Sequence, residues 1–386
     1  MLINMTGATA AQIIPEILPS TSSLTVYQRT PNWVIPRMDG PVSALRRAVY
    51  RYLPPVRWRI RATMMDFRES FYSAVTDGDS DFATLIRTSC IDSMKGALPD
   101  GESTGLWDKL TPNYNPGCKR VIISDDFYPA LASPKTTLET NKIRRITETG
   151  VELENGTHYE HDTLVLATGF RTVEFLYPIK LTGTNGRSLA EIWDKGATAL
   201  YGTTIPSLPN FGMFYGPNTN LGHNSIILMI EAQSRYLNTL VSAVLDARNR
   251  GDRIGIMPRE DRTEAFNEEI QKVLKESSFA DPKCASWYKD KEGRITNNWS
   301  GTVVEYQDVL SKVDWEDFEV AEGKDRGERA SKVVFGSGRL ETRIGRVREE
   351  TVVSNTVLAL GGLSAVAAGA AWVWRGKLPK RLGLRA

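Results

Sequence analysis

Cysteine and histidine are scarce in this 386-residue chain, with three of each, and that scarcity removes several chemistries at once. Cys90, Cys118 and Cys284 stand far apart, with no pair at metal or redox-motif spacing, so neither a zinc site nor a dithiol centre is expected. Such a count suits a reducing compartment, and the three are expected as isolated buried thiols. His158, His161 and His223 are too scattered for a histidine metal site, so no metal is expected. Charge of one sign is lacking as well. The 48 Lys and Arg against 46 Asp and Glu leave a net charge of +2, which gives no basis for a nucleic-acid partner. No internal repeat occurs. No secretory leader is expected either, because Met1–Ile3 runs straight into a glycine turn.

That turn is the first thing present. Met1–Ala10 reads MLINMTGATA, and Leu24–Arg29 follows as a second short apolar run. Strand, small-residue turn, helix and strand form the unit that holds a dinucleotide pyrophosphate. Against the pattern G-x-G-x-x-G, the three glycine positions are Met5, Gly7 and Ala10. The strand before the turn is cut short, so the chain is expected to start inside a nucleotide-binding domain.

Hydrophobic periodicity places the rest. Ala8–Leu18 reads as a helix that Pro15 should kink. Arg46–Phe71 is basic, aromatic and helical, broken at Pro54-Pro55, and Asp81–Asp92 continues in that style. From Pro112 the texture becomes β-like, at Val121–Ser124, Thr137–Thr140, Ile143–Ile146 and Val151–Leu153, with a hairpin turn at Asn155-Gly156. Thr163–Ala167 reads as a buried strand. Asn224 is expected to cap a long helix whose apolar positions are Ile226, Ile230, Leu237, Val241 and Val244, closed by Gly251. Asp261–Lys275 reads as another helix, Trp287 and Trp299 as core, and Trp315–Glu350 as a charged linker. Val357–Trp374 is uncharged, about long enough to span a bilayer, and flanked by basic residues.

Five blocks carry a family likeness. They are Thr6–Ile17 with Leu24–Trp33, Gly117–Leu131 (GCKRVIISDDFYPAL), Leu164–Phe170 (LVLATGF), Gly216–Gln233 (GPNTNLGHNSIILMIEAQ) and Cys284–Trp299 (CASWYKDKEGRITNNW). In this order, from about Gly7 to Tyr306, the chain resembles the Baeyer–Villiger type of flavin-dependent monooxygenase. The resemblance implies an α/β, two-dinucleotide-binding flavoprotein architecture, N-terminally truncated and carrying a C-terminal hydrophobic helix. Residues 1–165 would form an NADP-binding Rossmann-like domain with a helical insertion at about 38–112. Residues 166–313 would form the C-terminal half of the FAD domain, 314–350 a charged linker, and 351–386 a transmembrane helix with a basic tail.

The same resemblance assigns residues. Thr6, Gly7, Ala8, Thr9 and Ala10 would set backbone N–H groups against the NADP pyrophosphate. Arg29, between Gln28 and Thr30, would meet the 2′-phosphate, where an acidic residue would select NAD. Arg120, with Lys119 as the competing candidate, would stabilise the negatively charged C4a-peroxyflavin and the intermediate formed on a ketone. Ala167, Thr168 and Gly169 would form the crossing back to the FAD domain, and Asn218, Asn220 and Asn224 would be polar neighbours of the flavin ring. FAD and NADP are the implied cofactors, with a small carbonyl compound and O2 as substrates. Oxidation at nitrogen or sulfur is the alternative chemistry. The family's first G-x-G-x-x-G and its F-x-G-x-x-x-H fingerprint do not occur in the chain. A membrane-tethered inactive remnant, or a subunit whose FAD domain a partner chain completes, is therefore a further alternative. The expected localisation is a membrane anchor with a cytoplasmic catalytic portion, or otherwise the cytoplasm.

Overall fold

Four short parallel strands set the frame of the computed structural model, which describes residues 2–4, 7–284, 286–321, 341–345 and 364. In chain order its first elements are β1 (Leu2–Asn4), α1 (Ala8–Ile17), β2 (Leu24–Tyr27), β3 (Val34–Ile35), α2 (Ala44–Tyr52), α3 (Pro54–Thr76), α4 (Asp81–Ala97), α5 (Leu106–Leu110), β4 (Ile122–Ile123) and α6 (Phe127–Leu131). Next come β5 (Thr136–Glu139), β6 (Ile143–Ile146), β7 (Gly150–Leu153), β8 (His158–Glu160) and β9 (Leu164–Val165). The main sheet has the order β5-β2-β1-β9, parallel throughout. The chain leaves β1 towards β2 and β5 and returns on the other side as β9. A switch of direction at this place opens a crevice beyond the strand ends, with the N-terminus of α1 at its floor.

Packing explains the elements. β2 is buried along its whole length, which suits the run LTVY of a central strand covered on both faces. α1 buries Ala10, Ala11 and Ile14 against Leu24, Val26, Phe127 and Leu131. Pro15 removes one backbone donor, and the helix passes into a 3-10 turn at Leu18–Ser20 soon after it. β9 differs from the expected buried strand. It is two residues long, half-buried, and followed by an exposed Leu166, because it forms the edge of the sheet. β6, β7 and β8 form an antiparallel meander whose Val151 and Leu153 cover Tyr27. The turn at Asn155-Gly156 places Gly156 at φ +86°, open to a residue without a Cβ.

Residues 40–67 belong to a second compact unit. Ser43 caps α2 by accepting from Arg46 N at 3.3 Å, and Pro54 opens α3, so the break expected at Pro54-Pro55 is found.

The later elements are α7 (Leu189–Ile192), α8 (Ile226–Asn249), β10 (Gly255–Pro258), α9 (Glu260–Lys275), α10 (Val303–Val309), β11 (Lys312–Asp314), β12 (Phe318–Ala321) and β13 (Glu341–Arg343). α8 buries Met229, Ala232, Gln233, Tyr236 and Leu240, a face rotated from the expected stripe, and Val241 is exposed. Its N-cap is Ser225, not Asn224, whose side-chain amide is bound to Glu69 instead. The expected linker is partly structured. β12 pairs with β10, β13 pairs with β11, and Trp315 and Phe318 are buried. The remainder of that linker (322–340 and 346–350) and, apart from residue 364, the hydrophobic segment with its basic tail lie outside the described residues. Among the described residues no helix is long and apolar enough to cross a membrane.

Candidate functional site

The end of β2 and the loop before β4 meet in a cationic corner. Lys119 Nζ donates to Thr30 Oγ1 at 2.7 Å and lies 5.0 Å from the centre of the Tyr114 ring. Tyr114 is itself fixed, its hydroxyl donating to the Pro31 carbonyl at 2.7 Å. Burial, and then the charge of Arg29, bring the Lys119 ammonium down to about 8. Arg29, Thr30 and Lys119 are thus brought together. Gln28 is turned inward, its Nε2 donating to the Lys109 carbonyl at 2.6 Å. The loop closes over α3 through Gly117, at φ +97°, where a Cβ would stand 2.5 Å from Val75 Cα. Only glycine fits there.

The turn after β1 faces the same end of the sheet. Gly7 is the N-cap of α1 in an extended conformation, with no side-chain cap and no acidic residue in the first turn, so the first N–H groups remain as anion donors. Ala8 and Thr9 are exposed and Ala10 is buried, while Thr6 and Met5 lie outside the described residues. Ala167, Thr168 and Gly169 follow β9, the strand beside β1, after Leu166, with Gly169 at φ +93°.

A second corner surrounds Arg120, whose side chain is exposed. Burial pushes the Tyr288 hydroxyl up to about 12, and it raises Tyr215 as well. The charge of Arg120 opposes both shifts. Tyr215 donates to Asn220 Oδ1 at 2.8 Å. Asn218 and Asn220 are buried and committed to the protein. Asn218 Nδ2 donates to the carbonyls of Ile295 and Asn298, at 2.8 and 2.9 Å. The backbone N–H of each asparagine bonds the strand-like segment 296–297. Asn224 stands apart from them, its amide on Glu69 and its Oδ1 accepting from Ser225 N at 2.7 Å.

Two expectations are corrected here. Cys118 and Cys284 are joined as a disulfide, with 6.3 Å between their Cα atoms. Their sequence separation of 166 hid a pairing that exists only after folding. Cys90 alone is a free thiol, pushed up to about 12 by burial. Trp287 is 44% exposed, lying against Tyr288 at 4.4 Å rather than inside the core, whereas Trp299 is buried. Sequence reasoning missed Tyr114, Tyr215, Tyr288 and Glu69. Tyr215 adjoins one quoted block and Tyr288 lies inside another, so both could have been noticed, but nothing in the sequence marks Glu69.

No protein-family model matches the chain. It is 48% identical to the FAD-binding monooxygenase ktnD of Aspergillus niger over 369 residues, which are 96% of this chain and 58% of that protein. It is 36% identical to a Baeyer-Villiger monooxygenase of Streptomyces coelicolor over 315 residues, 82% of this chain and 59% of the relative. The chain therefore spans less than two thirds of the length of these relatives. Among solved structures, that of an oxidized steroid monooxygenase bound to NADP matches with a TM-score of 0.69 at 22% identity, covering 83% of this chain and 66% of that one. At that identity the likeness is one of fold.

Proposed function

We propose that this chain, like the relatives it is similar to, is a Baeyer–Villiger type of flavin-containing monooxygenase, an FAD- and NADPH-dependent enzyme that inserts one oxygen atom of O2 next to a carbonyl, turning a ketone into an ester or lactone. The observation that carries the reading is the meeting of Arg29, Thr30 and Lys119 beyond the end of β2. Two cations and a hydroxyl suit a dianionic 2′-phosphate, and no acidic side chain takes the place of Arg29 to favour a ribose hydroxyl. The turn at Thr6–Ala10 would hold the pyrophosphate at the N-terminus of α1.

When bound, the nicotinamide supplies a hydride and the flavin activates oxygen. The chain's own residues bind and orient. With Lys119 held at Thr30, Arg120 is the cation left for the reacting side. Its permanently charged, planar guanidinium would stabilise negative charge developing on the substrate oxygen. Ala167-Thr168-Gly169 would let two cofactors approach closely. Asn218 and Asn220 would act by fixing the loop 216–220 beside the flavin, since their amides are already bonded within the protein.

The test is coenzyme selectivity. NADP+ and NAD+ dissociation constants are measured on the unmodified chain and on Arg29→Ala. The substitution should weaken NADP+ about ten- to a hundredfold, the loss of one charge-assisted contact, and leave NAD+ within about twofold. Equal losses for both coenzymes would refute the phosphate role.

A further inference from the structure

We propose that Glu69, near the end of α3, is a positioning residue for the loop Leu221–Ser225 that leads into α8. The inference rests on the flavoprotein reading above, in which Asn224, on that loop, would be a polar neighbour of the flavin ring. Glu69 lies far from the cationic corner in sequence and in role, yet its side chain is only 15% exposed and gathers contacts from two elements. Oε1 accepts from Asn224 Nδ2 and stands 3.7 Å from His223 Nε2. Oε2 accepts from Val303 N at 3.2 Å, the first residue of α10. A carboxylate this enclosed is costly unless donors surround it, and charged hydrogen bonds are the stronger kind. One side chain therefore ties the start of α8 to the start of α10.

The same face of α3 repeats the hold at helical spacing. The Tyr72 ring meets His223 edge-on at 5.4 Å, and its hydroxyl donates to the Ser300 carbonyl at 2.6 Å. Val75 lies against Gly222 on this loop and under Gly117, where the Lys119–Arg120 loop begins. The last two turns of α3 thus touch the loop Leu221–Ser225 and the start of the loop that carries Lys119 and Arg120. Glu69 contributes a polar, orientation-specific link to the loop Leu221–Ser225. It acts through Asn224 and His223 and touches no reacting group itself.

The experiment compares the full chain with Glu69→Ala and Glu69→Gln, by hydrogen exchange with peptide resolution and by titration with FAD and with NADP+. For Glu69→Ala, exchange over 221–226 and 303–306 should accelerate about tenfold, while β2 stays unchanged. The FAD dissociation constant should rise about tenfold and that of NADP+ stay within about twofold. Glu69→Gln keeps an acceptor oxygen and should fall between, which also covers a poorly folding alanine variant. Unchanged exchange in 221–226, or loosening that includes β2, would overturn the proposal. So would a loosened loop with unaltered FAD affinity. If the unmodified chain takes up no FAD, the flavoprotein reading fails by itself, and the exchange pattern still decides whether Glu69 holds the loop.

Discussion

Lys119 shows how far one residue's chemistry depends on its surroundings. An exposed lysine keeps its charge well above physiological pH, but burial beside Arg29 brings this one to about 8. If it helps bind a 2′-phosphate, NADP+ affinity should fall as pH rises through about 8, because the neutral amine no longer attracts the anion and binding must take up a proton. NAD+ affinity should stay flat over the same range. Titrations between pH ~7 and ~9 test this, and a flat NADP+ profile would remove Lys119 from the phosphate site. In Arg29→Ala the neighbouring charge is gone, so any remaining profile should move to higher pH. The sign for stability is the reverse of that for binding. Between about 8 and the ordinary lysine value the folded chain binds fewer protons than the unfolded one, so the fold gains stability as pH rises through that window. Arg29, Lys119 and Arg120 were legible in the sequence because their blocks carry them in order. Tyr114 was not, since its ring reaches Lys119 only after the loop before β4 has folded back.

Elements were legible where the local pattern alone decides them. The apolar run of β2, the Asn155-Gly156 turn, the break at Pro54 and the length of α9 all follow from neighbours in sequence. Elements whose partners are distant were not. β12 exists because β10 pairs with it, so a stretch dense in charge read as a linker. α8 lost its expected cap to Glu69, which comes from another helix. The Cys118–Cys284 bridge belongs to this class, and it fastens the loop carrying Lys119 and Arg120 to the segment carrying Tyr288. Closing so long a loop restricts the unfolded chain strongly, so replacing both cysteines by serine should lower stability by roughly 2–4 kcal/mol. Denaturant unfolding measures the loss. Thiol counting under denaturing, non-reducing conditions should find Cys90 alone reactive, and all three cysteines only after reduction. Three reactive thiols without reductant would rule the bridge out.

At the scale of the whole molecule, the sheet order β5-β2-β1-β9 gathers the turn at Gly7, the Arg29–Thr30 pair and the crossing at Ala167–Gly169 onto one end of one sheet. These residues are spread over more than a third of the chain, and only the parallel topology makes them neighbours. The arrangement has a consequence for how the two cofactors act on the fold. The proposed NADP corner is built from β1, α1, β2 and the loop before β4, and none of its contacts requires a flavin. NADP+ should therefore stabilise the chain with no FAD added. At about a hundred times its dissociation constant the gain is ~2.7 kcal/mol, a rise of roughly 3–8 °C in melting temperature. Arg120→Ala should leave that rise intact, because Arg120 belongs to the other corner, where its charge acts on Tyr215 and Tyr288. Scanning calorimetry with NADP+, with NAD+ and with neither separates the cases. A shift seen only when FAD is also present would mean that the corner is assembled by the flavin, and the independence argued from its contacts would be wrong.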